Sequence, residues 1–235
     1  MTAPVAGGVD CDLHPAVPHL TSLLPYLDDY WRDQVTTRGM TDLVSQSYPP
    51  NSPISARPDW RPARGKPGSR LEDMQAQALD AFGVRFGICN PLFGVQMVFS
   101  EDMQDAFCRA LNDWLAREWL DKDERLRGSI LIPTQSVDKS VAEIERCAKD
   151  ARFVQVLMLV MGDMPLGKRA YWPIYAAAER LGFLSHRGLC RAGAGVSDAI
   201  DEPDRRGRVR AAPESENGDA RKRLYLAAVL SLAPA

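Results

Sequence analysis

The sequence predicts an α/β fold in which four parallel strands alternate with helices. Short apolar runs of strand length recur along the chain, and segments with helical spacing of apolar residues lie between them. Because parallel strands are covered by helices on both faces, nearly continuous apolar strands are typical of them. Four such units make half of an eight-unit barrel, or most of an open, doubly wound sheet.

The individual elements follow from periodicity and from helix-end signals. Strands are predicted near residues 8–13, 84–90, 127–132 and 153–159. Helices are predicted near residues 20–37, 71–82, 100–120, 136–147 and 172–181. Gly83 is predicted to end the second helix, Ser100 to cap the third, Ser136 or Asp138 to cap the fourth, and Pro173 to open the fifth.

Length and composition favour one soluble domain and exclude several classes of function. The chain has 235 residues, 45% of them hydrophobic, and a formal net charge of −2, which does not suit nucleic-acid binding. It has no apolar run of about 18 residues and no signal-peptide pattern at its start, so neither a membrane nor secretion is expected. The five cysteines lack CxxC spacing. A cytoplasmic protein without a zinc knuckle is therefore expected, and no glycine-rich phosphate loop supports nucleotide binding.

Residues 40–70 interrupt the regular pattern. This segment is rich in Pro, Ser, Arg and Gly, so it cannot be a regular helix or a central strand. Loops of this length inside a compact domain are usually lids or binding loops. An ordered flap is favoured, and a disordered linker is the alternative.

The first strand carries the strongest chemical signal. In an extended strand Asp10, Asp12 and His14 fall on one face, whereas Val9, Cys11 and Leu13 fall on the other. Two carboxylates and an imidazole on one inward face need hydrogen-bond partners, water or a cation, and a divalent metal would satisfy them best. The alternative is an edge strand with a solvated acidic face.

Four stretches carry a family likeness: residues 9–15 (VDCDLHP), 87–91 (GICNP), 112–114 (NDW) and 172–179 (WPIYAAAE). Together, over about residues 8–183, they resemble the amidohydrolase-related family that includes aminocarboxymuconate-semialdehyde decarboxylase. The resemblance implies a distorted (β/α)8 TIM-like barrel that holds a divalent metal, often zinc. It also implies a His-x-His pair after strand one, a His after strand five and an Asp near strand eight.

The resemblance implies that two residues of this sequence are metal ligands. The second histidine of the pair corresponds to His14, and the first corresponds to Asp12, a departure that still supplies an oxygen ligand acceptable to zinc or manganese. Asp12 is either a ligand or the partner that holds the His14 tautomer, and Asp10 is expected to be structural. Asn90 and Gln135, at the ends of the second and third strands, are expected to bind substrate.

The likeness stops near residue 183, where an apolar fifth strand is expected. Residues 184–235 instead contain eight arginines from Arg187 to Arg223, both included, and Val209 is the one bulky aliphatic residue between Ile200 and Leu224. We expect this tail to be irregular and to come from a shifted reading frame; a genuine charged interaction arm is the alternative. Residues 1–183 are then expected to form a partial barrel of about four β/α units, with impaired activity.

Two functions of different classes follow. The first is a metal-dependent hydrolase or decarboxylase of the amidohydrolase superfamily, with zinc or manganese as cofactor and a small carbonyl or carboxylate compound as substrate. The second is a non-catalytic half-barrel that binds or scaffolds, and associates with a second copy through its open sheet edge.

Overall fold

The computed structural model describes residues 7–43, 58–158 and 166–183. Within them, four parallel strands form one sheet in sequence order. The strands are β1 (Val9–Leu13), β2 (Phe86–Cys89), β3 (Leu126–Leu131) and β4 (Phe153–Leu157). The predicted α/β class, the parallel strands and the partial barrel are confirmed. The predicted tail, residues 184–235, lies outside the described residues.

Helices precede β2, β3 and β4, and one follows β4. They are α1 (Asp29–Thr37), α2 (Leu71–Met74), α3 (Glu101–Leu115), α4 (Val137–Cys147) and α5 (Trp172–Arg180). Helix α2 continues as a π-helix over Gln75–Asp80, and α3 continues as a π-helix over Ala116–Leu120. None of the helices in the described ranges is long and apolar enough to cross a membrane.

The helix ends agree with the sequence signals at the second, third and fifth helices. The first helix differs, and Ser136, at the N-cap position of α4, makes no side-chain cap hydrogen bond. Ser100 Oγ accepts a hydrogen bond from the Met103 amide at the start of α3, and Gly83 has a φ of +59° after the second helical segment. The predicted helix over residues 20–37 is instead a 3₁₀ helix, Leu20–Tyr26, followed by α1. The break occurs because Pro25 lies inside the first segment and Asp28 caps the second, accepting from the Trp31 amide.

The face of the sheet toward the helices is apolar and closely packed. A side chain at Gly87 would overlap Leu13 and approach Leu79 to 3.0 Å, so β1, β2 and the second helical segment meet at this glycine. Leu13 is 4% exposed and Leu79 is fully buried. Because Leu13 faces the helices, strand alternation places its neighbours Asp12 and His14 on the side of the sheet away from Leu13.

Helix α3 is joined to the sheet by a buried asparagine. Asn112 Nδ2 donates to the Leu131 carbonyl (2.8 Å), and the Leu131 amide donates to Asn112 Oδ1 (2.9 Å). The last register pair of β2 with β3 is Cys89 with Gly128, so Leu131 extends beyond β2, although it still pairs with Leu157 of β4. The asparagine therefore supplies the hydrogen bonds that a strand would otherwise supply.

Ion pairs recur at the amino-terminal edge of the sheet. Just before β3, Arg125 binds both carboxylate oxygens of Asp123 and reaches Asp80 at 2.7 Å. Just before β4, Arg152 binds Asp150 in the same way and reaches Asp121 at 2.6 Å. Each arginine thus ties its own strand to the segment that leads into the preceding strand.

Asp123→Asn should lower the free energy of unfolding by about 2 kcal/mol at pH 7, because Arg125 loses a buried anionic partner. The Arg125 hydrogen bond lowers the pKa of Asp123 from 3.8 to about 2. The stabilisation is therefore fully present above pH 3.8 and is lost as the pH falls toward 2. The free energies of unfolding of mutant and parent should converge there.

Urea unfolding at pH 7 and near pH 2.5 measures this effect. Asp33→Asn is the matched control, because Asp33 is exposed and bonded only to the Thr37 hydroxyl among the described hydrogen bonds. The control should change stability by less than about 0.5 kcal/mol. An equal decrease in the free energy of unfolding of the two variants would contradict a stabilising role for the Asp123 ion pair.

Candidate metal centre

The end of β1 contains an extra residue relative to β2. Asp10 is paired with Gly87 and Leu13 with Cys89, so three steps along β1 match two steps along β2. This is the arrangement of a β-bulge, which redirects side chains and leaves backbone groups without strand partners. Two side chains satisfy those groups: Asp10 Oδ1 accepts from the Asp12 amide (2.9 Å), and Asn90 Nδ2 donates to the Cys11 carbonyl (2.9 Å).

Asp12 and His14 form a close pair beyond this bulge. His14 Nε2 lies 3.2 Å from Asp12 Oδ1, and the side chains are 35% and 80% exposed, so a ligand can reach them. His14 Nδ1 lies 3.0 Å from the Asn90 carbonyl oxygen. Since a carbonyl oxygen only accepts, Nδ1 carries the proton and Nε2 is the nitrogen that faces the carboxylate.

This geometry calls for a positive charge between the two side chains. A neutral His14 with its proton on Nδ1 would present a lone pair to an anionic oxygen, which is repulsive. Either a second proton on Nε2 or a metal cation removes the repulsion.

The pKa values of both side chains shift in the directions expected of an ion pair. Burial acts to lower the pKa of His14, but the hydrogen bonds to Asp12 and to the Asn90 carbonyl outweigh it and raise the pKa above 6.5. The hydrogen bond from His14 lowers the pKa of Asp12 below 3.8, against a smaller opposing effect of burial. The site therefore holds a positive charge next to Asp12 readily.

The separation of the two side chains suits a shared divalent ion. Ligands at about 2.0–2.2 Å from one metal, with an angle of about 90–110° between them, lie about 3.0–3.4 Å apart. The 3.2 Å between Nε2 and Oδ1 falls in this range. Within residues 7–43, 58–158 and 166–183, no cluster of three or more His, Cys, Asp or Glu side chains completes a site. Asp10, which the spacing placed on the same face and which was expected to be structural, accepts from the Asp12 backbone amide at the bulge.

Asn90 is the residue that connects this pair to the rest of the sheet. It is 4% exposed, and its backbone amide donates to the Leu13 carbonyl oxygen (2.6 Å). Its Nδ2 also lies 3.4 Å from Asp12 Oδ1, and its Oδ1 accepts from Ser129 Oγ and from Gln155 Nε2 (3.1 Å). The side chain predicted to bind substrate is thus occupied by contacts within the protein.

Ser129 and Gln155 are site residues that the sequence prediction missed. Ser129 is fully buried and Gln155 is 5% exposed, and Gln155 Nε2 donates to Ser129 Oγ at 2.8 Å. A detectable signal existed, because each is an uncharged polar residue in the middle of a mostly apolar strand and must find a partner there. Their register, Ser129 opposite Gln155, places them beside each other.

Gln135 lies in a separate polar group beyond β3. Its side-chain amide donates to the Val98 carbonyl, and its backbone amide donates to Gln104 Oε1 at 3.2 Å. Gln96 in the same group donates to Leu157 O at 2.9 Å, at the end of β4. The loop after β2 is thereby fastened across the ends of β3 and β4. No hydrogen bond between described residues joins Gln135 to Asp12 or His14.

Part of the long proline-rich segment packs beside the Asp12–His14 pair. The Ala16 amide donates to the Gly68 carbonyl at 2.9 Å. Gly68 has a φ of +73°, and a Cβ there would lie 2.6 Å from the His14 carbonyl oxygen. Residues 44–57 lie outside the described residues, so the predicted flap remains a prediction for that part.

Comparisons with known proteins agree with this architecture. A family model described as amidohydrolase matches residues 9–186. A gamma-resorcylate decarboxylase from Polaromonas sp. is 28% identical over 134 residues, which are 52% of this chain and 40% of that protein. Its counterpart from Rhodococcus jostii is 27% identical over 136 residues, 49% of this chain and 41% of that protein. The chain spans about two-fifths of the length of these relatives.

A solved structure shares the fold. The 5-carboxyvanillate decarboxylase from Novosphingobium aromaticivorans, complexed with manganese and 4-hydroxy-3-methoxy-5-nitrobenzoic acid, superposes with a TM-score of 0.52 at 19% identity. The match covers 77% of this chain and 49% of that one.

Gly68→Ala should destabilise the protein more than Gly39→Ala. Both glycines have positive φ, +73° and +61°, so alanine costs about 1–2 kcal/mol at either position. Only at Gly68 would the new Cβ also strike the His14 carbonyl, because nothing lies within 4 Å of a Cβ at Gly39. Urea unfolding measures the free energy of unfolding of the two variants. An equal decrease in both would contradict close packing of the loop against His14.

Proposed function

Because the chain belongs to the amidohydrolase family, we propose that it takes part in the metal-dependent decarboxylation of a small aromatic carboxylate. The observation that carries the proposal is the Asp12–His14 pair, whose facing acceptor atoms lie 3.2 Å apart. Two relatives are gamma-resorcylate decarboxylases, so 2,6-dihydroxybenzoate and related hydroxybenzoates are the proposed substrate class. Their names favour decarboxylation over hydrolysis.

The proposed ligands are Asp12 Oδ1 and His14 Nε2. Asp12 contributes a negative charge, and the Asn90 carbonyl keeps the His14 proton on Nδ1, so that Nε2 is directed toward Asp12. A bound divalent cation would act as a Lewis acid that polarises substrate oxygens. Further ligands must come from outside the described residues, since structural and catalytic sites usually need three or four protein ligands.

Manganese is the first metal to test, and zinc is the second. A carboxylate–imidazole donor pair accepts both ions. The 5-carboxyvanillate decarboxylase that shares this fold was solved with manganese, which supports the choice. Gln135, near the ends of β3 and β4, is a proposed substrate contact, whereas we propose that Asn90 supports the metal ligands.

Mn²⁺ binding should depend on both proposed ligands. His14→Ala and Asp12→Ala should each weaken Mn²⁺ binding by more than about 100-fold, because each removes a donor atom and not merely a supporting contact. Electron paramagnetic resonance of free Mn²⁺, titrated into purified protein, measures the affinity. His19→Ala is the control, since the His19 side chain is exposed and bonds only to Thr21 among the described hydrogen bonds. Unchanged binding in His14→Ala would contradict the assignment.

The reaction itself can be tested with 2,6-dihydroxybenzoate. Loss of CO₂ breaks the bond between ring and carboxylate and places a proton on the ring carbon, giving 1,3-dihydroxybenzene. Chromatography should detect this product when Mn²⁺ is present, and His14→Ala and metal chelation should abolish it.

Other results would favour other functions. Turnover of a small ester or amide in place of the benzoate would favour a hydrolase. A protein that binds no metal and elutes as a dimer from a sizing column would favour the half-barrel scaffold.

A further inference from the structure

We infer that Ser129 and Gln155 are positioning residues, which hold the Asn90 amide in one orientation and through it set the geometry of Asp12 and His14. The inference rests on the proposed metal centre and adds residues from β3 and β4 to it. Neither residue is bonded to Asp12 or His14 among the described hydrogen bonds. Both act through Asn90.

The orientation of the Asn90 side chain is determined from two sides. On one side, Ser129 Oγ and Gln155 Nε2 both donate to Oδ1. On the other side, Nδ2 faces two acceptors, the Cys11 carbonyl at 2.9 Å and Asp12 Oδ1 at 3.4 Å. A flipped amide would direct its NH₂ at the NH₂ of Gln155, and its oxygen at a carbonyl and a carboxylate.

Asn90 in turn determines three features of the Asp12–His14 pair. Its side chain satisfies the Cys11 carbonyl at the bulge, and so stabilises the redirected end of β1. It also approaches the carboxylate of Asp12. Its backbone carbonyl accepts from His14 Nδ1 at 3.0 Å, which selects the tautomer with Nε2 toward Asp12.

Burial makes the Ser129–Gln155 support specific. Ser129 is fully buried, Gln155 is 5% exposed and Asn90 is 4% exposed, so water cannot readily replace a lost donor. If both donors are removed, Asn90 Oδ1 becomes a buried acceptor without its partners. The amide is then free to rotate, and the Asp12–His14 pair loses its support.

The test uses the double variant Ser129→Ala/Gln155→Leu, which removes both donors to Asn90 Oδ1. Mn²⁺ affinity, measured by electron paramagnetic resonance, should fall by about 10–100-fold, the usual effect of removing a residue that supports a metal ligand. Ser140→Ala/Gln104→Leu is the matched control. It also removes a fully buried serine, bonded to Pro133 O, and a fully buried glutamine, which donates to Gln96 O and Val98 O and accepts from the Gln135 backbone amide. The control should keep the parent affinity.

A second measurement needs no metal. In ¹⁵N-labelled, metal-free protein, the His14 Nδ1–H resonance reports the hydrogen bond to the Asn90 carbonyl. It should shift in the Ser129→Ala/Gln155→Leu variant and stay unchanged in the control. If circular dichroism shows that the double variant does not fold, Ser129→Ala and Ser140→Ala are compared by the same two measurements.

The outcomes separate the two proposals. If the parent binds Mn²⁺ and the test variant binds it equally, the inference is overturned and the metal centre stands. If the parent binds no Mn²⁺, the proposed function fails, and the Nδ1–H resonance alone decides the inference. An unchanged resonance in the test variant overturns it.

Discussion

The polar end of this sheet depends on satisfying one buried amide. Asn90 is 4% exposed at the end of β2, where an unpaired amide group would cost about 1–3 kcal/mol. Its side chain is bonded to β1, β3 and β4, and its backbone is bonded to Leu13 and His14. Every strand of the described sheet therefore contributes to the position of this residue, and the Asp12–His14 pair is built against it.

The two edges of the sheet have different chemistry. At the amino-terminal edge, Arg125 and Arg152 each bind an aspartate before their own strand and a second aspartate before the preceding strand. These contacts join successive units and serve stability. At the carboxyl-terminal edge, the Asp12 and His14 side chains lie beyond the bulge in β1 and are 80% and 35% exposed. This division is the one seen generally in β/α barrels, where catalytic groups follow the carboxyl ends of the strands.

The candidate site was only partly predictable from the sequence. Asp12 and His14 are two residues apart, and strand periodicity alone was enough to place them together. The same periodicity placed Asp10 beside them, but an extra residue in β1 made Asp10 a backbone cap. Asn90 was recognised as polar at a strand end, whereas its burial was not foreseen. Ser129 and Gln155 were missed because an isolated polar residue in a strand does not reveal its partner.

The sequence by itself determined the order of the elements, their approximate bounds, the parallel sheet and the acidic-x-His pair of β1. These features follow from local periodicity and from helix caps, which act over a few residues. Only the tertiary structure decided the bulge in β1, the His14 tautomer and the Asn90–Ser129–Gln155 network. His14 and Asn90 are 76 residues apart in the chain, and their contact depends on how β1 and β2 align. Register between strands joined by helical crossovers is set by packing of the whole layer, so local patterns do not specify it.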